Sequence, residues 1–454
     1  MKIVIVGAGE VGFHIARRLA AENKDVVVID RDPGAVRRVS ESLDVQAMEG
    51  SGSNPLVLET AGIREAEIML AVTDSDEINL VACLFTDILS PATKKLIRIR
   101  DTDYLGFRES LEDGSPHIDT VINPESEVVG TIERFMKVPG AVDVSEFADG
   151  RVKLVGISLD REAPLADCCM SDITKRTGGH RVLVAAIVRN EELIIPRGRD
   201  ALLPGDLVYF ICEESKLEST LAFFNKHAET VRHVLIVGGG RIGHRLATAL
   251  EKEHIHTKII ELDPARCAEL AESLSKTVVL NGDGSDQRIL EEENVGDMDV
   301  VVTLTGDEET NILTSLLAKR MGARKVITRV NKFGYLPLVT AIGIEHVVSP
   351  RLSAVNSILH HVRRGRILSA VALKGEKAEV LEAVALPTSD IVGKPLKNLD
   401  FPRGAIVIAI IRGSEVIIPT GESIIQHLDR IIILATRKAV PKVEKALAVK
   451  LEYF

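Results

Sequence analysis

The sequence has no long hydrophobic run. Its longest apolar stretches, such as 405–411 and 431–435, are five to seven residues and are closed by charge. A membrane-spanning helix needs about 20 such residues. The chain is therefore not expected to cross a bilayer on its own, although its mean hydropathy is slightly positive at +0.14. A basic excess is also missing. Lys and Arg number 56 against 66 Asp and Glu, for a net charge of −10. That balance argues against a nucleic-acid partner, because phosphate backbones demand clustered positive charge. Cysteine is scarce and unpatterned: Cys83, Cys168, Cys169, Cys212 and Cys267 form no CxxC pair, so neither a disulfide framework nor a zinc site is indicated. No GxSxG, HExxH or P-loop motif occurs. The twelve histidines show neither metal-ligand spacing nor a general acid–base pairing, so the sequence offers no catalytic constellation. The N-terminus enters a strand-like run at once (Lys2-Ile3-Val4-Ile5-Val6) without a signal-peptide layout. A reduced, cytoplasmic setting is expected.

What the chain does have is core material and a duplication. Apolar residues make up 45% of 454, enough for roughly three domains of ~150 residues. Val4-Ile5-Val6-Gly7-Ala8-Gly9-Glu10-Val11-Gly12 is written again as Leu235-Ile236-Val237-Gly238-Gly239-Gly240-Arg241-Ile242-Gly243, 231 residues later. The same offset relates Asp30 to Glu261, Arg98 to Arg329 and Tyr104 to Tyr335, and one residue more relates Thr73 to Thr305 and Asn79 to Asn311. Pro124 and Pro350 are 226 apart, and Ala186-Ile187-Val188-Arg189 matches Ala409-Ile410-Ile411-Arg412 at 223. A few loop deletions account for the drift. A whole two-domain unit is duplicated, not a short solenoid repeat.

Each first module alternates short apolar strands (near 3–6, 26–29, 45–47, 68–72, 96–100 and 120–122 in the first copy) with amphipathic stretches such as 11–22 and 35–43. This pattern predicts a doubly wound parallel sheet covered on both faces, a Rossmann-like α/β domain. Each second module (151–214 and 378–436) is rich in β-branched runs broken by turn residues and predicts a small α+β domain with a hairpin-containing sheet. The expected division is 1–123, 124–230, 231–349 and 350–454. Between the modules of each half lies an apolar stripe at helical period: Val128, Val129, Ile132, Phe135 and Met136 after Pro124, and Leu352, Val355, Ile358, Leu359 and Val362 after Pro350. Such a helix either packs on its own domain or is exchanged with a partner subunit.

Each glycine motif follows a strand, opens a helix and has an acid 18 residues beyond its third glycine. Gly7 and Gly238 allow the tight turn, Gly9 and Gly240 admit a pyrophosphate to the backbone, and Gly12 and Gly243 let helix approach strand. The helix N-terminus offers free N–H groups to phosphate. Asp30 and Glu261 are placed to accept both hydroxyls of an adenosine ribose. That favours NAD(H) or an adenine nucleotide over NADP, with Arg31, Arg37 and Arg38 nearby as softening charges. Thr73 and Thr305 end the fourth strand at the ligand-binding edge. Ser51 and Asp283 sit in the Gly-X-Gly segments 50–52 and 282–284 after the third strand, and Arg98 and Arg329 can reach a diphosphate.

Taken together, these residues resemble the RCK (regulator of K⁺ conductance) family, in the tandem form of the cytosolic subunits of bacterial Trk potassium uptake systems. The resemblance covers nearly the whole chain and is carried by the glycine turns, Asp30, 50–53, 73–79 with Asp74, Arg98-Ile99-Arg100 and Tyr104, and by their second copies. It implies that Gly7, Ala8, Gly9, Glu10 and Val11, like Gly238, Gly239, Gly240, Arg241 and Ile242, hold phosphate. Asp30 and Glu261 would then hold ribose, and Arg98 and Arg329 would approach the phosphates. It further implies a nucleotide-sensing regulator without enzymatic turnover, with NAD(H) as ligand and ATP and ADP as further ligands of the same sites. The assembly implied is a tetrameric homo-oligomeric ring, peripheral on the inner face of the membrane beneath a membrane-embedded potassium-translocating subunit. A soluble NAD-dependent oxidoreductase and a scaffold with non-binding Rossmann folds are the competing readings. The copies depart from each other where Glu261 replaces Asp30, Gly306 stands for Asp74 and Asn331 for Arg100, so the two sites are expected to differ.

Overall fold

The computed structural model describes residues 1–106, 117–227, 230–362, 367–373, 377–387 and 389–447. In the first half, strands β1 (Lys2–Val6), β2 (Asp25–Asp30), β3 (Gln46–Glu49), β4 (Ile68–Ala71), β5 (Lys94–Arg98) and β6 (Thr120–Ile122) form one all-parallel sheet in the order β3-β2-β1-β4-β5-β6. Its principal helices are α1 (Glu10–Ala21), α2 (Pro33–Ser42) and α3 (Asp76–Leu89). Ile3, Val4, Ile5 and Val6 are all buried, as a central strand covered by helices on both faces requires. The fifth strand begins two residues earlier than its apolar pattern indicates. Lys95 is fully buried there, its ammonium held by Asp87 at 2.9 Å and the Pro91 carbonyl at 3.1 Å, and this charge masks the start of the strand in the sequence.

Helix α4 (Pro124–Lys137) leads into β7 (Ala141–Phe147), β8 (Val152–Ser158), β9 (Leu183–Arg189), β10 (Glu192–Ile194) and β11 (Leu207–Glu213), an antiparallel sheet ordered β10-β9-β11-β8-β7. The second half repeats the plan. Strands β12 (His233–Val237), β13 (His256–Glu261), β14 (Val278–Asn281), β15 (Val300–Thr303), β16 (Lys325–Arg329) and β17 (His346–Val348) form the parallel sheet, with α5 (Arg241–Lys252), α6 (Pro264–Ser273) and α7 (Glu308–Arg320). Helix α8 (Pro350–Val362) precedes β18 (Ile367–Ala372), β19 (Ala378–Val384), β20 (Ala405–Arg412), β21 (Glu415–Ile417) and β22 (Arg430–Thr436), ordered β21-β20-β22-β19-β18. The fold is thus two Rossmann-like domains, each followed by a small antiparallel-sheet domain. Strands β7 and β18 lie outside the segments 151–214 and 378–436, where the β-branched runs are densest, and sequence patterning missed them.

The two small sheets share one core. Phe147, Leu154, Tyr209 and Ile211 from the first meet Val380, Ile408, Ile411 and Leu434 from the second, all buried. At roughly 1.5–3 kcal/mol for each such side chain, this interface fixes the halves against each other. Each small domain also carries the same bidentate ion pair. Arg189 grips Asp206 with Nε and Nη2, both at 2.7 Å, and Arg412 grips Asp429 at 3.0 and 2.8 Å. Both carboxylates are almost fully buried, while the guanidinium side chains stay 31% and 34% exposed. Asp429→Ala is therefore expected to lower unfolding free energy by about 2–3 kcal/mol. That is short of the 3–5 of a wholly buried pair, because the orphaned arginine can hydrate; denaturant titration measures it.

The connecting helices are exchanged, but between the halves of one chain. Val128, Ile132 and Phe135 of α4 join the core of the second Rossmann domain with Ile242, Leu246 and Leu250 of α5. Ala354, Val355, Ile358 and Leu359 of α8 join the first, with Val11, Ile15 and Leu19 of α1. Both exchanges end alike: Lys94 Nζ donates to the His361 carbonyl at 3.1 Å and Lys325 Nζ to the Phe135 carbonyl at 2.5 Å. Each Rossmann domain is therefore completed by a helix of the other half.

Candidate nucleotide-binding sites

The glycine turns lie at the carboxyl edges of β1 and β12, where strand order reverses and open α/β sheets bind ligands. Gly7 and Gly238 have φ of +110° and +106°, and a Cβ there would press on the backbone of Thr73 or Thr305 at 3.0 and 2.8 Å. A Cβ on Gly12 would stand 1.8 Å from the Gly7 carbonyl oxygen, and one on Gly243 2.1 Å from that of Gly238. Gly9 and Gly240 differ from these. They cap α1 and α5 without any side-chain hydrogen bond, and a Cβ on either would meet nothing within 4 Å. No side chain occupies the cap of either helix, which leaves its first-turn N–H groups without a side-chain acceptor there, the arrangement that accepts a phosphate.

The acids are pre-set by backbone donors. Asp30 accepts from Ala8 N at 2.6 Å on one oxygen and from Asp32 N at 2.9 Å on the other. Glu261, one methylene longer, makes the same two bonds, from Gly239 N at 2.7 Å and Asp263 N at 3.0 Å. Each carboxylate oxygen keeps lone-pair capacity for a hydroxyl. On the opposite side of each turn is an arginine, Arg98 buried and Arg329 half-buried. The Nε of Arg98 and of Arg329 are buried without a partner, and burial draws both guanidiniums below their usual pKa. Such orphaned donors beside an uncapped helix fit an anionic diphosphate.

The family follows from comparison. The TrkA-N domain profile matches residues 3–124 and 234–350, and the TrkA-C domain profile matches 154–225 and 380–448. The Trk system potassium uptake protein TrkA of Azorhizobium caulinodans is 38% identical over all of both chains, and that of Halomonas elongata 37%. A Methanosarcina mazei TrkA homolog is 37% identical over 98% of this chain and 99% of its own. The chain belongs to the TrkA family. That is a family of potassium-uptake proteins, not of enzymes. Among solved structures, the GsuK RCK domain aligns at a TM-score of 0.60 and 19% identity, covering 98% of this chain and 94% of that one. The GsuK channel bound to NAD aligns at 0.61 and 19%, covering 98% and 78%. These two share the RCK fold.

Within this TrkA-family chain, several residues expected at the sites have structural employment. The Val11 and Ile242 side chains are buried in the core, which leaves only their backbone to a ligand. Thr73 and Thr305 donate their hydroxyls to Asn79 and Asn311 Oδ1, at 2.7 and 2.8 Å. Those asparagines in turn bond the carbonyls of Arg98 and Arg329, tying β4 to β5 and β15 to β16. Ser51 Oγ pairs with Ser53 Oγ at 2.8 Å, and Asp283 accepts from Ser285 N and Oγ. Glu10 Oε1 accepts from Arg38 Nη1 at 2.7 Å, and Arg38 also reaches the Ala8 carbonyl and lies over the Phe13 ring. Arg266 makes the corresponding bond to the Gly239 carbonyl at 3.0 Å. Sequence comparison missed Arg266 because it aligns with Ala35, one helical turn from Arg38. It also missed Glu125, on α4, which pairs with Arg241 at 3.0 Å; no motif marks a residue that arrives from the other half. The described residues contain no group of three or more His, Cys, Asp or Glu arranged to hold a metal ion.

The arginines distinguish the two sites. Arg98 is tied to the exposed Asp74 at 2.7 Å. Arg329, where Gly306 takes the place of Asp74, bonds among the described residues only the Leu304 and Thr305 carbonyls, both at 3.3 Å. Asp74→Asn frees Arg98 and removes a negative charge from the first cleft. It is expected to tighten nucleotide binding there about threefold to tenfold, roughly 1 kcal/mol, in calorimetric titration.

Proposed function

We propose that this protein is a nucleotide-sensing regulator of potassium transport, located in the cytoplasm and peripheral to the membrane. It binds NAD(H), ADP or ATP at two sites and gates a membrane-embedded Trk-type potassium-translocating subunit. The observation that carries the reading is the pair of uncapped helix N-termini, each flanked by a pre-set acid and an arginine whose Nε is buried without a partner. Gly7, Ala8, Gly9 and Glu10 would face the phosphates of one ligand, with Asp30 on its ribose and Ser51, Thr73, Asp74 and Arg98 around it. Gly238, Gly239, Gly240 and Arg241 would face the other, with Glu261, Asp283, Thr305 and Arg329. The names of its relatives support the transport setting, and no helix among the described residues is long and apolar enough to cross a membrane. Exposed apolar residues such as Leu84 and Ile88 on one helix support self-association; the homo-oligomeric, tetrameric ring is part of the proposal. The division 1–123, 124–230, 231–349 and 350–454 is part of the proposal.

The exchanged helices give such a sensor its transmission. A ligand that binds one relative orientation of the Rossmann domains more tightly shifts the population toward it. Helices α4 and α8, each buried in the opposite half, move with it. The available coupling equals the differential affinity, typically ~1–3 kcal/mol per site. In liposomes holding the protein and a Trk-type membrane subunit, exchange of one nucleotide for another is expected to change potassium flux at least threefold. Equal flux with NADH, NAD⁺, ATP, ADP and no nucleotide would overturn the reading.

A further inference from the structure

The two halves are related by duplication, yet the charges at their mutual interface are not repeated. They change sign. Glu10 and Arg241 occupy the same place, the first residue of the helix after the glycine turn. Glu125 and Arg351 occupy another, the second residue of the exchanged helix. The first half carries an acid at both positions and the second half an arginine at both. In the folded chain one opposite-charge combination is in direct contact, while Glu10 pairs with Arg38 of its own half and has Arg351 as a further positive charge nearby. Arg241 Nη2 lies 3.0 Å from Oε1 of Glu125, whose side chain is only 9% exposed. Burial alone would raise the Glu10 carboxyl; Arg38, with smaller contributions from Arg351 and His14, takes it below its ordinary range. Helices α4 and α8 pack against each other, and Arg329 feels the charges of Glu125, Glu308, Arg351 and Arg241 together. A further contact reverses sign on one side only, since Ala249 of the second half stands where Arg18 does in the first. Arg18 of α1 pairs with Glu379 of β19, both nearly buried, and the residue that corresponds to Glu379 in the first half is Lys153.

Other contacts across this interface are indifferent to which half supplies them. The apolar stripes of α4 and α8 and the paired Lys94 and Lys325 contacts have the same chemistry in both copies. They would serve a first half paired with the first half of a second copy equally well. The charges would not. Such a pairing brings Glu10 onto Glu125 twice, four carboxylates around one axis, and sets Arg18 against Lys153. Pairing of second halves gathers Arg241 and Arg351 twice, four guanidiniums. Like charges held together in a partly buried site oppose association, and opposite ones select a partner.

We propose that this exchange of charge is a pairing code: the interface formed by the Rossmann helices and the exchanged helices accepts the opposite half of the same chain and rejects the like half of a second copy. Further copies then have to attach through other faces.

Zero-length carbodiimide cross-linking of the full-length chain with peptide mass spectrometry reads the pairing directly. Lys137 of α4 lies 2.8 Å from Glu253, both exposed, and the residue that corresponds to Glu253 in the first half is Glu22. The wild-type chain is expected to give the Lys137–Glu253 link and no Lys137–Glu22 link. Glu125→Arg with Arg351→Glu leaves net charge unchanged but makes like halves complementary. It is expected to lower the native link at least tenfold and to produce Lys137–Glu22. Adding Glu10→Arg and Arg241→Glu restores opposite-half complementarity and should restore the native link, even if the double variant fails to fold. A double variant that keeps Lys137–Glu253 at the wild-type yield overturns the proposal. So does a fourfold variant that recovers no more of it than the double.

Discussion

Gly12→Ala is expected to abolish nucleotide binding at the first site and to cost about 3 kcal/mol of stability. The added Cβ would sit 1.8 Å from the Gly7 carbonyl oxygen and 2.9 Å from its carbon. Both are backbone atoms in a turn that cannot retreat: Gly7 N is bonded to the Ile29 carbonyl at 2.8 Å, and Gly7 itself abuts the Thr73 backbone. Helix α1 has to lift from β1, taking its N-terminal donors out of reach of a phosphate. Overpacking of a fixed core contact costs ~1–3 kcal/mol, and a backbone obstacle falls at the upper end. The control lies three residues earlier. Gly9→Ala has φ of −61° and an open Cβ position, so stability should move by less than ~0.5 kcal/mol. The methyl group would stand where phosphate approaches, and affinity should fall about tenfold. Chemical denaturation and calorimetry on the two variants separate packing from ligand contact.

The second large effect is on ribose recognition. Asp30→Ala removes the acceptor of Ala8 N and Asp32 N along with the proposed partner of the ribose diol. Two charge-assisted hydrogen bonds at roughly 1.5 kcal/mol each amount to about a hundredfold in affinity. Glu261→Ala should do the same at the second site, whose carboxylate is held by Gly239 N and Asp263 N. Asp30→Asn keeps only one carbonyl oxygen and should fall between wild type and Ala. Each variant should silence its own site and leave the other intact.

Much of this was legible in the sequence, because the features that matter most are local. A strand, three glycines and an acid at fixed spacing determine the turn, the uncapped helix and the carboxylate position. The duplication then shows the arrangement twice. Residue type alone does not show that Asp30 and Glu261 are equivalent; in the structure each accepts from two corresponding backbone donors, which absorb the extra methylene. What the sequence could not show is long-range. Neither stripe on α4 or α8 reveals which surface it covers, since a helix buried on its own domain and one buried on the other half have the same period. Glu125 reads as an ordinary acid in a helix's first turn until Arg241 is found against it. Only the start of β5 hid behind Lys95, whose ammonium is held by Asp87. Thr73 and Thr305 lie two residues beyond the ends of β4 and β15 at the binding edge, and residue type does not reveal that their hydroxyls also bond Asn79 and Asn311.

The central claim is that two separate sites bind nucleotide without consuming it, and calorimetric titration with NADH, NAD⁺, ATP and ADP tests it most directly. The wild-type chain should show saturable binding to two sites. Asp30→Ala and Glu261→Ala should each remove one of them, and NADH should be recovered unchanged. Absence of heat with all four nucleotides, or binding that survives both substitutions together, would contradict the account.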